Sequence, residues 1–257
     1  KAGEVQRITG DTRVLQGTTL TIEASAIVQF DAFASLDLVI DGRLDAHGTL
    51  INPILFTSVR DDTGFDGILG TADDLDMEGN GATTAGPGYW NSIQFGATST
   101  GNVLDHVEVR YGGASSFGAV VNNGAALALT NSTIRNSSTA GLRIAGSNPT
   151  ITNTTFLNNS GAAISMDLVS NPMVSGVTLS DNGINGVNLD AGTLTGAQVW
   201  DDPELVYRLT GDVTVAAGAT LTIGPGQVVK VAAFQGADLI VSGTLVADGT
   251  ALQPIIV

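Results

Sequence analysis

The feature that most constrains this chain is that it repeats itself. The stretch "VQRITGDTRVLQGTTLTI" from Val5 returns as "VYRLTGDVTVAAGATLTI" from Val206, an offset of 201 residues. Residues 5–56 align with residues 206–257 without a gap, with 23 of 52 positions identical. Gly10 and Gly211, Gly17 and Gly218, and Gly42 and Gly243 recur at turns, between alternating apolar positions such as Leu20 and Ile22, matched by Leu221 and Ile223. Side-chain alternation punctuated by Gly is a strand-and-turn pattern. The chain therefore reads as one continuous segment over 1–257: a unit of about 5–205, then a second copy that begins at about 206 and is cut off at 257. Neither end reads as a natural terminus.

A shorter period fills the middle. "LTNSTIRNSSTAGLRI" from Leu129, "ITNTTFLNNSGAAISM" from Ile151 and "VSGVTLSDNGINGVNL" from Val174 place Ile134, Phe156 and Leu179 at equivalent sites, 22 and 23 residues apart. "LDHVEVRYGG" from Leu104 supplies a related strand. That spacing is one coil of a solenoid whose coils bury their faces against each other. Asn136, Asn158 and Asp181, and likewise Thr133, Thr155 and Thr178, fall at matching positions. Such side chains are expected to hydrogen-bond up the stack. Turn and stack chemistry also accounts for the sequons at Asn131, Asn136, Asn153 and Asn158.

Composition agrees with this architecture. The chain is 43% apolar and 14% charged, with 33 Gly and only 5% aromatics, so its core is aliphatic and rich in tight turns. A net charge of −15, with ten Lys and Arg, repels nucleic acid and anionic membranes. Having no Cys and two His, the chain has no disulfide, thiolate metal site or typical zinc site. No apolar run is long enough to span a bilayer.

The segments "LTGDVTVAAGATLTIGPGQVVKV", "ADLIVSGTLVADGT" and "QPIIV", with "FTSVRDD", an acidic loop and "GYWNSIQF" in the first copy, resemble the right-handed parallel β-helix repeat regions of large secreted bacterial surface and adhesin-like proteins. The resemblance implies an all-β, right-handed parallel β-helix (β-solenoid), here with a long acidic loop excursion. Roughly ten coils at about 4.8 Å each give a rod near 50 Å long. Its open ends expose strand edges, expected to be met by continuation of the same chain or by head-to-tail self-association.

The loop "DDTGFDGILGTADDLD" opens an insertion of over thirty residues that is expected to project from the rod. Asp61, Asp62, Asp66, Asp73, Asp74 and Asp76, with Gly64, Gly67 and Gly70, supply the oxygen ligands and bends that calcium requires. The spacing is neither that of an EF-hand nor that of the Gly-rich calcium nonapeptide. Tyr89 and Trp90 beside the loop are candidate glycan contacts, although Trp90 and Trp200 both suit packing at coil edges.

In "HVEVRYG", alternation sends Val107, Val109 and Tyr111 to one side and His106, Glu108 and Arg110 to the other. A base, an acid and a cation on one face are the parts of a polysaccharide lyase, and equally of a surface ion pair with Arg135 above it. The counterpart of His47 in the second copy is Asp248, which argues against a role repeated in every unit.

The expectation is a non-enzymatic structural or adhesive segment of an extracellular, cell-surface or filament-forming protein, stabilised by calcium. The alternatives are a calcium-dependent carbohydrate-binding module contacting surface polysaccharide and, more remotely, a lyase centred on Glu108 and Arg110.

Overall fold

The computed structural model describes residues 4–76, 79, 81–232 and 236–257. Every regular element among them is a strand, and every strand-to-strand pairing is parallel. Up to Ser180 the strands fall in turn on three sheets, so one coil is three strands. The seven-stranded sheet runs from Val5–Ile8 to Thr178–Ser180, the nine-stranded sheet from Thr12–Val14 to Val228–Val231, and the six-stranded sheet from Thr19–Ile22 to Met173–Ser175. Two three-stranded sheets, opening at Gly192–Leu194 and Ala197–Trp200, then take the places of the six- and seven-stranded ones in chain order.

The coil arises because alternate residues point inward. Ile134, Phe156 and Leu179 stack as Cα partners on adjacent strands, as do Thr133, Thr155 and Thr178 on the outer side. The 22- and 23-residue period is therefore one circuit of the rod. Phe30, Ile40, Leu44, Phe56, Ile93, Leu104, Ile144 and Phe156 are completely buried in a single core running along the axis. Full burial of each such side chain contributes roughly 1.5–3 kcal/mol.

Corners between sheets require left-handed backbone, and Asn fills many of them. Asn131, Asn136, Asn153, Asn158 and Asp181 all have positive φ, between 49° and 56°, which short polar side chains tolerate. Bonding up the stack follows: Asn153 Nδ2 donates to Asn131 Oδ1 at 3.2 Å, and Asn131 Nδ2 to Asp105 Oδ1 at 2.8 Å. Buried Asn159 does the same with half-buried Asn182, Nδ2 donating to Oδ1 at 2.8 Å.

The two copies repeat in register as well as in sequence. Thr19 pairs with Arg43 as Thr220 pairs with Thr244, and Ile27 pairs with Leu55 as Val228 bridges Ile256. Gly42 and Gly243 are fixed by the same close approach. A Cβ at Gly42 would lie 2.3 Å from the carbonyl oxygens of Leu15 and Thr18, and one at Gly243 2.2 and 2.4 Å from those of Ala216 and Ala219.

The copies nevertheless occupy different sheets. Val5–Ile8 lies in the seven-stranded sheet and its counterpart Val206–Leu209 in the nine-stranded one. The unit from Val5 up to Val206 holds 22 described strands, which is seven coils of three and one strand more.

Candidate functional site

The acidic loop leaves the strand Ile54–Ser58 and returns to Ser92–Phe95 on the neighbouring sheet. It does not stand away from the rod as expected. Asp61, Asp62 and Thr63 are buried, because the loop folds back over the outward row of the seven-stranded sheet, where Gln29, Thr57, Arg110 and Arg135 are in register.

Arg110 holds it there. Its side chain has no exposed surface, and its Nη1 donates to Asp61 Oδ2 at 3.2 Å, Thr63 Oγ1 at 3.2 Å and the Gly64 carbonyl at 2.8 Å. Nη2 donates to the Phe65 carbonyl at 2.9 Å and Nε to Glu108 Oε1 at 2.6 Å. Asp61 is further bound by Thr57 Oγ1 at 2.5 Å and Thr63 Oγ1 at 2.6 Å, while Gln29 Nε2 reaches the Asp61 carbonyl at 3.5 Å. Arg135 pairs with Glu108 from the next coil. Burial pushes the Glu108 carboxyl up, but the hydrogen bonds and charges of Arg110 and Arg135 outweigh it and hold the pKa below the ordinary value. Burial likewise disfavours charge on Arg110, and Glu108 and Asp61 reverse it, raising its pKa.

This arrangement bears on the lyase alternative. Val107 and Val109 do face the core, and Glu108 and Arg110 do face outward. Yet Arg110 is sealed beneath the loop with its donors engaged, so it has no face to offer a uronate. His106 and Tyr111 are turn residues with φ of 50° and 63°, flanking the strand rather than completing its face.

The remaining loop carboxylates bind their own backbone. Asp62 Oδ2 accepts from Thr83 N and Oγ1, both at 2.7 Å. Asp73 Oδ2 accepts from Phe65 N at 2.7 Å and Asp66 N at 3.2 Å, and a hydrogen bond from Thr71 leads the effects that lower its pKa. Asp74 accepts from Gly70 N at 2.7 Å, Asp66 from Ile68 N at 2.8 Å, and Asp76 from Gly81 N at 3.1 Å. Among the described residues no three of His, Asp and Glu are grouped to hold a metal ion. In this arrangement each of the six carboxylates is engaged by a backbone N–H, a hydroxyl or Arg110.

The candidate glycan contacts divide. Trp90 is fully buried, stacked on Phe30 at 4.0 Å between ring centroids, with its Nε1 donating to the Arg110 carbonyl at 2.7 Å. It has no ring face for a sugar, because it fills the core beneath the loop. Tyr89 is half-buried and packs at 4.5 Å on the exposed ring of Phe33. Trp200 is also core, edge-on to Tyr207 at 5.7 Å. Tyr207 donates to buried Asp202 at 3.0 Å, and burial raises the Asp202 pKa to about 6.

Sequence reasoning did not identify Arg110 as the loop's anchor. The available signal was an Arg on the outward row that contains Thr57, four residues before the first loop carboxylate.

A family model described as a right handed beta helix region matches residues 72–198, just under half of the chain. It runs from within the acidic loop to just short of the second copy, and the fold is thus a right-handed parallel β-helix. No curated protein and no solved structure matched the chain.

Proposed function

We propose that this chain is a non-enzymatic structural segment of an extracellular surface or filament-forming protein: a stiff rod built to be extended by units of its own kind. The observation that carries this reading is the identity of register between the copies, strand for strand, over the whole of the second one. A site for chemistry needs one distinctive place, whereas a rod needs every coil to accept the next. Continuous parallel ladders and an unbroken core supply stiffness along the axis.

Two further features support it. On the strand face weighed for a lyase, Arg110 is sealed beneath the chain's own loop, and the loop is held by Arg110 and by its own backbone N–H groups. The acidic surplus keeps such rods soluble outside a cell.

Electron microscopy of the polypeptide as isolated from its source tests this. Seven coils and one strand at about 4.8 Å per coil predict an axial repeat near 35 Å per unit along a straight rod. Compact particles with no such repeat would overturn the reading.

A further inference from the structure

Along one edge of the rod the chain turns from the seven-stranded to the nine-stranded sheet, and three consecutive turns there carry an aromatic ring toward the surface. Phe33 lies between Ile27–Phe30 and Asp37–Ile40, Tyr89 at the end of the acidic loop before Ser92–Phe95, and Phe117 between Val107–Arg110 and Gly118–Asn123. Phe33 is 71% exposed and Phe117 75%. Neither lies at an open end of the rod. The turn before Phe33 supplies Asp11, which accepts from Asp37 N at 3.1 Å, and the turn after Phe117 supplies Ser138, whose N–H donates to the Gly112 carbonyl at 3.0 Å. Both rings are therefore exposed with neighbouring coils in place on either side.

The fold holds these rings in place. The Phe33 N–H donates to the Tyr89 carbonyl at 2.8 Å, and its ring packs on Tyr89 at 4.5 Å between centroids. Phe33 has a φ of 65°, a left-handed conformation that a bulky side chain seldom adopts. Ser35 and Ser115 join the two Phe-bearing turns through their hydroxyls at 3.3 Å. The Arg143 guanidinium, itself paired with Asp190, props the Phe117 ring from 5.7 Å. The internal repeat adds a contrast: buried Phe30 becomes Val231 in the second copy, whereas exposed Phe33 returns as Phe234. Core packing does not account for keeping the exposed ring.

Beside the rings the surface is polar and offers no free cation. A cleft of about 360 Å³ next to Phe117 is lined by Gln94, Asn123, Ser115 and Ser116. Gln94 is half-buried and Asn123 exposed, and among the described residues neither side-chain amide makes a hydrogen bond. The charges on these turns and strands are engaged elsewhere. Asp31 pairs with Arg7, Arg143 with Asp190, and Asp37 accepts from Asn91 Nδ2 at 3.0 Å and Ser92 Oγ at 2.7 Å. With a net charge of −15 on the chain, an anionic ligand is repelled.

We propose that this edge is a binding surface for an uncharged polysaccharide, with one sugar residue on the Phe33 ring, another on Phe117, and hydroxyls in the cleft bonded by the Gln94 and Asn123 amides. A sugar presents C–H groups that settle on an aromatic face and a rim of hydroxyls that needs amide partners. The two Phe rings are two coils apart, roughly 10 Å at about 4.8 Å per coil, which is farther than one sugar ring spans. A chain, not a monosaccharide, bridges them. An apolar helix fits less well, because Ser and amide side chains interrupt the apolar surface it would need. The site makes the surface rod of the proposed function adhesive, but its binding chemistry does not depend on filament formation.

Calorimetry of the 257-residue chain with uncharged hexasaccharides of glucose, mannose and galactose tests it, with oligogalacturonate as the acidic comparator. At least one uncharged oligosaccharide should bind, indifferently to salt, and oligogalacturonate should not displace it. Phe33→Asn with Phe117→Ala should weaken binding by about tenfold or more. Asn tolerates the left-handed turn, and both rings are exposed, so the urea midpoint of this variant should stay close to that of the parent. Gln94→Ala with Asn123→Ala should weaken binding several-fold, an effect that a purely apolar contact would not show. No binding across the panel, undiminished binding in either double variant, or tighter binding of oligogalacturonate would overturn the proposal. The rods and their axial repeat in the microscope stand or fall separately.

Discussion

Leu44 and Leu245 sit at the same place in the two copies, yet Leu44 is 0% exposed and Leu245 39%. Ile40 and Val241 compare as 0% and 41%, and Leu55 and Ile256 as 0% and 56%. Their pairings have the same register in the two copies. The difference lies in the following coil: Asn102–Asp105, Ser92–Phe95 and Val107–Arg110 cover the first copy, and among the described residues no strand covers the second. Burial in a solenoid therefore belongs to the pair of coils and not to the strand.

The contrast is most strongly broken by removing the cover at its anchor. Arg110→Met leaves Asp61 and Glu108 without their buried cation, and a loss of about 3–5 kcal/mol is expected. A urea melt measures the loss, and amide exchange should show residues 61–67 opening. A cost under about 1 kcal/mol would mean that the loop is not held by this pair.

Truncating the matched leucines sharpens the same comparison. Leu44→Ala should cost about 2–5 kcal/mol by transfer and cavity terms, whereas Leu245→Ala should cost less than about 1 kcal/mol because that side chain already meets water. Equal losses in denaturant melts would show that Leu245 is covered in solution.

The copies also differ where the second opens, since Tyr207 stands in place of Gln6. Tyr207 brings buried Asp202 with it, whose pKa is raised from 3.8 to about 6. A raised carboxyl favours the fold below the unfolded value and loses that contribution as pH climbs through about 6. Asp202→Asn should thus raise the melting midpoint at pH 8, by on the order of 2 kcal/mol in stability, and leave pH 4 nearly unchanged. A flat difference between the two pH values would contradict this assignment.

The smallest effect belongs to the exposed pair of Arg7 and Asp31. Asp31→Ala copies the second unit's Ala232 into the first and should cost under about 1 kcal/mol, because both side chains are partly solvated. A larger thermal shift would show the pair to be structural.

The coil was readable in the sequence because it is written in local alternation: Ile134, Phe156 and Leu179 announce their stacking through spacing alone. The fate of the acidic loop was not, because Arg110 and Asp61 lie 49 residues apart and nothing in either neighbourhood names the other. Six carboxylates among glycines look alike whether they converge on an ion or cap their own N–H groups. Trp90 was ambiguous for the same reason, since its alternation fits an edge as well as a core, and only its stacking on Phe30 decides.

The extra strand in each unit governs how a longer rod meets its surroundings. Laid end to end, units of seven coils and one strand turn about a third of a revolution at each junction. An acidic loop fixed to one position in each unit would then wind around the axis and come back to the same side after three units. Such a rod has no front or back. It could be approached from any direction around its circumference, whichever way it lay against a surface.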